Sequence, residues 1–127
     1  YGELLEFYEQ THRRDALERR GVDKSLWIWE HVDYSRSYMI VADVARGDGK
    51  DFSTFHIIDI ENCSQVGEYK GQLPPKEFAH LLVGIATEYN TALLVVENAN
   101  IGWSTIETIQ ERGYSNLYHG MGNSNVR

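Results

Sequence analysis

Asp43 ends the apolar run Tyr38-Met39-Ile40-Val41-Ala42, and Glu97 ends a second such run, Ala92-Leu93-Leu94-Val95-Val96. If the two runs are neighbouring parallel strands, their terminal carboxylates come within about 5 Å of one another, since strands lie ~4.8 Å apart. At an effective dielectric near ~20 such a pair repels by roughly 3 kcal/mol. A proton on one acid or a cation between them relieves that repulsion. Hard oxygen donors on a partly open rim suit Mg²⁺ or Mn²⁺. Two such ions can clamp the attacking and leaving oxygens of a phosphodiester. The plainer alternative is that each acid is only a turn or capping residue at a strand end.

Between the acids lies a glycine-rich, charged stretch, Val44-Ala45-Arg46-Gly47-Asp48-Gly49-Lys50-Asp51. Asp51 can return across a hairpin to the same rim as Asp43, whereas Asp48 reads as a solvated turn residue. Arg46 and Lys50 flank the glycines and are candidates for contacts with DNA phosphates; solvated loop charges explain them equally well. No nucleotide motif holds here. A Walker A loop needs Gly where Val44 stands and Ser or Thr where Asp51 stands, and the dinucleotide fingerprint meets Phe52 where it needs Gly. His12, His31, His56, His80 and His119 show no paired ligand spacing, so zinc has no support. No serine elbow is present for acyl transfer.

The chain has 127 residues, 42% of them hydrophobic and 12% aromatic, which describes one folded domain with a real core. The apolar runs are too short to span a membrane, and no signal peptide is visible. Cys63 is the single cysteine, so no internal disulfide can form and a reducing compartment is expected. A formal net charge of −7 argues against a general nucleic-acid coat. It leaves room for an enzyme that gathers its cations on one face.

Residues 3–20 have helix-like apolar spacing with Gly21 as a stop. Residues 25–36 are aromatic and irregular, and Trp27 and Trp29 are expected to pack them onto the body as an arm. Three strands are expected at 37–44, 52–60 and 65–70, joined by short turns carrying Gly or Asn. Pro74-Pro75 opens a helix whose buried face is Phe78, Leu81, Leu82, Ile85 and Tyr89; Asn90 ends it. Residues 92–97 read as a strand buried on both faces. Ser104-Thr105-Ile106-Glu107 is a capping-box pattern for a second helix through Arg112, stopped by Gly113, and residues 116–118 form a last short strand. The order β-β-β-α-β-α-β predicts an α/β fold, a mixed sheet with helices packed on it. In one economical arrangement of these elements the first strand lies beside and parallel to 92–97, at the switch point where ligands collect.

The stretch from Tyr38 to Ser53 resembles the start of the nuclease domain of tailed-bacteriophage terminase large subunits. Leu94-Val95-Val96-Glu97-Asn98-Ala99-Asn100-Ile101-Gly102 resembles that family's second acidic motif, and the helix ending Glu111-Arg112-Gly113-Tyr114 is also similar. The resemblance spans roughly residues 37–119. It implies a ribonuclease H-like fold and a metal-dependent endonuclease that cuts concatemeric double-stranded DNA during genome packaging, in the cytoplasm of an infected bacterium. Asp43 then corresponds to the first metal ligand, Glu97 to the second, and Asp51 to a supporting acid. The implied partners are an ATPase motor domain, the portal and the small terminase subunit, with no membrane. Residues 1–36 become a lead-in arm and 37–127 the nuclease domain. One departure stands out: the family's third ligand is an Asp after the last strands, and no Asp occurs beyond Asp59. Either the domain continues past Arg127, or the chain is a non-catalytic docking module of the packaging machinery.

Overall fold

The computed structural model describes residues 17–20, 24–44, 52–97 and 102–119. Seven strands form one mixed sheet in the order β1-β2-β5-β4-β3-β6-β7. These are β1 (Glu18–Arg20), β2 (Leu26–Ile28), β3 (Tyr38–Asp43), β4 (Ser53–Asp59), β5 (Ser64–Gly71), β6 (Leu93–Glu97) and β7 (Leu117–His119). Helix α1 (Pro75–Glu88) connects β5 to β6, and α2 (Trp103–Glu111) connects β6 to β7. β3, β4 and β5 are an antiparallel meander, whereas β6 pairs parallel with both β3 and β7.

Alternation with a period of two sorts the strand residues into two faces. Tyr38, Ile40 and Ala42 of β3, Phe55 and Ile57 of β4, and Leu94 and Val96 of β6 are buried in one core with both helices. From α1 that core takes Phe78, Leu82, Ile85 and Ala86, and from α2 Ile106 and Ile109. Each of the large side chains contributes roughly 1.5–3 kcal/mol by leaving water. Aromatic rings join the layers: Phe55 stacks on Tyr69 at 5.3 Å and meets Phe78 at 6.1 Å. Gly67, on the same face of β5, is needed small, because a Cβ there would stand 2.7 Å from Ile57 Cδ1.

The helix ends follow the sequence signals. Pro75 occupies the first turn of α1, and Asn90 adopts a left-handed φ of 61° just past its end. Gly113 does the same after α2, with φ 76°. The start of α2 departs from expectation. Gly102 is the N-cap and no side chain caps the helix, so the capping box at Ser104 does not form. Thr105 lies in the first turn instead, and its hydroxyl donates to the Pro75 carbonyl at 3.1 Å, fastening α2 to the start of α1.

Three further expectations are corrected. Residues 18–20 are not the end of a helix; they form β1, paired antiparallel with β2. Residues 3–16 of that expected helix lie outside the described residues. The aromatic segment is not irregular throughout, since Leu26–Ile28 is a strand hydrogen-bonded to β5. Strand β6 is not buried on both faces: Leu93 and Val95 are only half-buried, because neither described helix covers their side of the sheet. No described helix is long and apolar enough to cross a membrane.

Candidate metal centre

Asp43 and Glu97 are direct register partners across the parallel β3–β6 pair. They are the last residues of their strands, and both are exposed. Strand β3 is also the point where the meander, running to β4, meets the crossover half, running to β6. The two carboxylates thus stand side by side at the carboxyl edge of the sheet, at its switch point. Adjacent-strand spacing puts their backbones ~4.8 Å apart.

The flanking residues explain why the acids present themselves there. Val44 and Val96 are buried, which anchors each strand end in the core one residue away from its carboxylate. Gly102 lies against both: a Cβ at that position would stand 3.2 Å from Val44 Cγ2 and 3.4 Å from Val96 Cγ1. The missing side chain therefore lets the start of α2 approach the acid edge closely.

Exposure weakens one electrostatic expectation. With water around both groups the repulsion falls from roughly 3 kcal/mol toward about 1 kcal/mol. Repulsion alone does not force a cation between them. What the arrangement offers is two hard oxygen donors on an open rim, a set that suits an oxygen-seeking divalent ion retaining several of its own waters. Among the described residues no group of three or more His, Cys, Asp or Glu comes together.

Asp51, Arg46 and Lys50 lie outside the described residues. Val44 and Phe52, which bracket that stretch, sit at the same edge as Asp43, since Asp43 pairs with Thr54 across β3 and β4. Two features of the neighbourhood were not anticipated from sequence. Lys70 occupies the same cross-strand row as the acids, because Lys70 pairs with Thr54, Thr54 with Asp43, and Asp43 with Glu97. His119 on β7 carries a buried Nδ1 without a partner and packs edge-on against Trp103 at 6.1 Å. It pairs with Val96, whose side chain belongs to the helix-covered face, so His119 is not part of the acid row. The other described histidines have local partners: His31 meets Glu18 at 3.1 Å, His56 meets Gln65 at 3.1 Å, and His80 meets Arg112 at 3.1 Å. Cys63 is an exposed turn residue with φ 53°.

No family model matches the sequence, and no curated protein matches it either. Solved structures do match the fold. The large terminase nuclease from thermophilic phage G20c with bound magnesium superposes with a TM-score of 0.71 at 20% identity, covering 86% of this chain and 55% of that one. The same nuclease with bound zinc gives 0.70 at 20% identity, over 86% of this chain and 60% of that one. The Thermus phage P74-26 large terminase nuclease domain gives 0.68 at 20% identity, over 86% and 53%. This chain therefore spans little more than half the length of those nucleases. It has their fold: the ribonuclease H-like mixed sheet, with its helices packed against it, that the sequence resemblance implied.

Proposed function

We propose that the chain is the metal-dependent endonuclease portion of a phage DNA-packaging terminase large subunit, acting on double-stranded DNA in the infected host. The observation that carries this is the register pairing of Asp43 with Glu97 at the open carboxyl edge of the sheet. The likeness to terminase nucleases, one of them crystallised with magnesium, supports it. Asp43 and Glu97 would hold a pair of Mg²⁺ or Mn²⁺ ions, with Asp51 as a supporting acid. Bound there, the metal supplies Lewis-acid polarisation of the phosphodiester and a bound water of lowered pKa.

The chain's own residues have separable tasks. The two carboxylates supply negative charge and lone pairs from backbone positions that the β3–β6 pairing holds in register. Arg46 and Lys50 would neutralise backbone phosphates beside them. The experiment is nicking of supercoiled plasmid in Mn²⁺ or Mg²⁺. The wild-type chain should relax the plasmid only with metal, and Asp43→Ala and Glu97→Ala should fall to the level of a metal-free control. Undiminished nicking by Asp43→Ala would remove this assignment.

A second reading is a docking module without catalysis. It is favoured by the presence of only two register-paired carboxylates at the edge, with no third metal-type ligand beside them among the described residues. Complete silence of the wild-type chain in the nicking assay, together with no Mn²⁺ binding, would select it.

A further inference from the structure

The sheet face not covered by the described helices carries a continuous row across all seven strands. Register pairs link Arg19 to Trp27, Trp27 to Glu68, Glu68 to His56, His56 to Val41, Val41 to Val95, and Val95 to Tyr118. The next row on the same face holds Lys70, Thr54, Asp43 and Glu97. At the β1–β2–β5 end of this face lies a groove of about 500 Å³ whose lining includes Arg19, Lys24, Trp27, Trp29, Glu68 and Lys70. Among the described residues that line it, three cations thus face one carboxylate, in a chain whose net charge is −7. That carboxylate is itself held by the Gln65 side-chain amide, which donates to Glu68 Oε1 at 3.1 Å.

The aromatic floor of the groove is fixed in place. The Trp27 indole N–H donates to the Lys24 carbonyl at 3.0 Å, and its ring meets Trp29 edge-on at 6.3 Å. The Arg19 guanidinium carbon lies over the Trp27 ring, 4.2 Å from its centroid, so a cation already sits on the indole face. Nearer the acids, Lys70 Nζ sits 5.0 Å from the centroid of the exposed Phe52 ring. Flat cationic and aromatic surfaces in alternation accept unstacked bases on their planes and phosphates on their charges. A closed duplex offers its bases to neither plane.

We propose that this groove binds an unpaired DNA strand that continues from the acid edge, across Phe52 and Lys70, to the Arg19–Trp27 stack. Three strand spacings and one register step separate Trp27 from Asp43, ~16 Å, a span of a few nucleotides. The proposal rests on the nuclease reading for the identity of the ligand, but it concerns binding and not cleavage.

The test is fluorescence anisotropy with a labelled short oligothymidylate and with a duplex of equal length, in EDTA. No metal and no cleavage are then involved, and failure of the nuclease reading would not silence the readout. The single strand should bind in a saturable, salt-sensitive manner and more tightly than the duplex. The Arg19→Glu and Lys70→Glu variants, both at exposed positions, should each weaken binding by about tenfold. Lys76→Glu, an equal charge change on α1, should stay within about twofold of wild type. Trp27→Ala should weaken binding at least as much as Lys70→Glu; circular dichroism checks its folding, and Trp27→Phe should recover most of the loss. Absence of saturable binding, tighter binding of the duplex, or an equal loss in Lys76→Glu would each overturn the proposal.

Discussion

Arg20 on β1 grips Glu88 in the last turn of α1 with both of its terminal nitrogens, each at 2.7 Å from a carboxylate oxygen. The pair joins residues 68 positions apart. A carboxylate at a helix C-terminus opposes the macrodipole, and the guanidinium fork offsets that penalty with two charge-assisted bonds. Glu18 joins from the same strand, 2.9 Å from Arg20 Nε. These hydrogen bonds, Glu88 first, hold the Arg20 pKa above its ordinary value.

Because this fork is half-exposed, solvent discounts its worth. Arg20→Ala should cost about 1 kcal/mol in urea unfolding. A double-mutant cycle with Glu88→Ala should show that the two losses are not additive, and additive losses would show that the bonds contribute nothing as a pair.

Asp59, at the opposite end of β4 from the candidate metal centre, is 1% exposed. Its oxygens accept from the backbone N–H groups of Glu61 and Asn62 at 3.0 and 3.2 Å, and Arg36 Nη1 reaches it at 3.2 Å. It is a structural acid that closes the β4–β5 turn. Asp59→Ala strands those donors and should destabilise the fold by roughly 2–4 kcal/mol. Thermal or urea unfolding measures it, and a change under about 0.5 kcal/mol would contradict the role.

Tyr114 and Tyr89 report on burial through their ionisation. The Tyr114 hydroxyl donates to the Ala92 carbonyl, and burial pushes its pKa up to about 12. Burial raises Tyr89 as well, and its hydroxyl donates to the Glu30 carbonyl at 2.7 Å. A phenol whose folded pKa exceeds its unfolded value of about 10 favours the fold while it is protonated. Stability from Tyr114 is therefore complete below pH ~10 and is lost as pH rises through about 12, and the contribution of Tyr89 is lost later still. Ultraviolet titration should show late-ionising tyrosines, and Tyr114→Phe should remove one of them. If all eight tyrosines ionise together near pH 10, the buried assignments are wrong.

The body of the fold was legible because its strands are short apolar-rich runs between turn residues and its long helix keeps the helical period. Tyr38-Met39-Ile40-Val41-Ala42 is an unbroken apolar run closed by Asp43, and Phe78, Leu82 and Ile85 recur at helical spacing. The parallel pairing of the two acid-ended strands was one economical arrangement of that element order, and the structure adopts it, with Asp43 opposite Glu97. β1 was not legible, since Glu18-Arg19-Arg20 is charged throughout and becomes a strand only by pairing with β2. Leu26-Trp27-Ile28-Trp29 is apolar throughout, but over a span too short to outweigh the irregular residues after it. The groove could not be seen either, because Lys70 joins Arg19 and Trp27 only through the pairing of β2 with β5, strands far apart in sequence. At α2, Ser104-Thr105-Ile106-Glu107 matched a cap by type, yet the packing of Gly102 on Val44 and Val96 fixed the start of the helix earlier.

The most direct test of the acid pair is calorimetric titration with Mn²⁺ of the wild-type chain and of Asp43→Ala and Glu97→Ala. A shared site predicts saturable heat in the wild type that disappears in both variants, with their unfolding midpoints in metal-free buffer essentially unchanged, because both side chains are exposed. Heat that persists in both variants, or a wild-type chain that takes up no Mn²⁺ at millimolar concentration, would show that Asp43 and Glu97 do not form a metal centre.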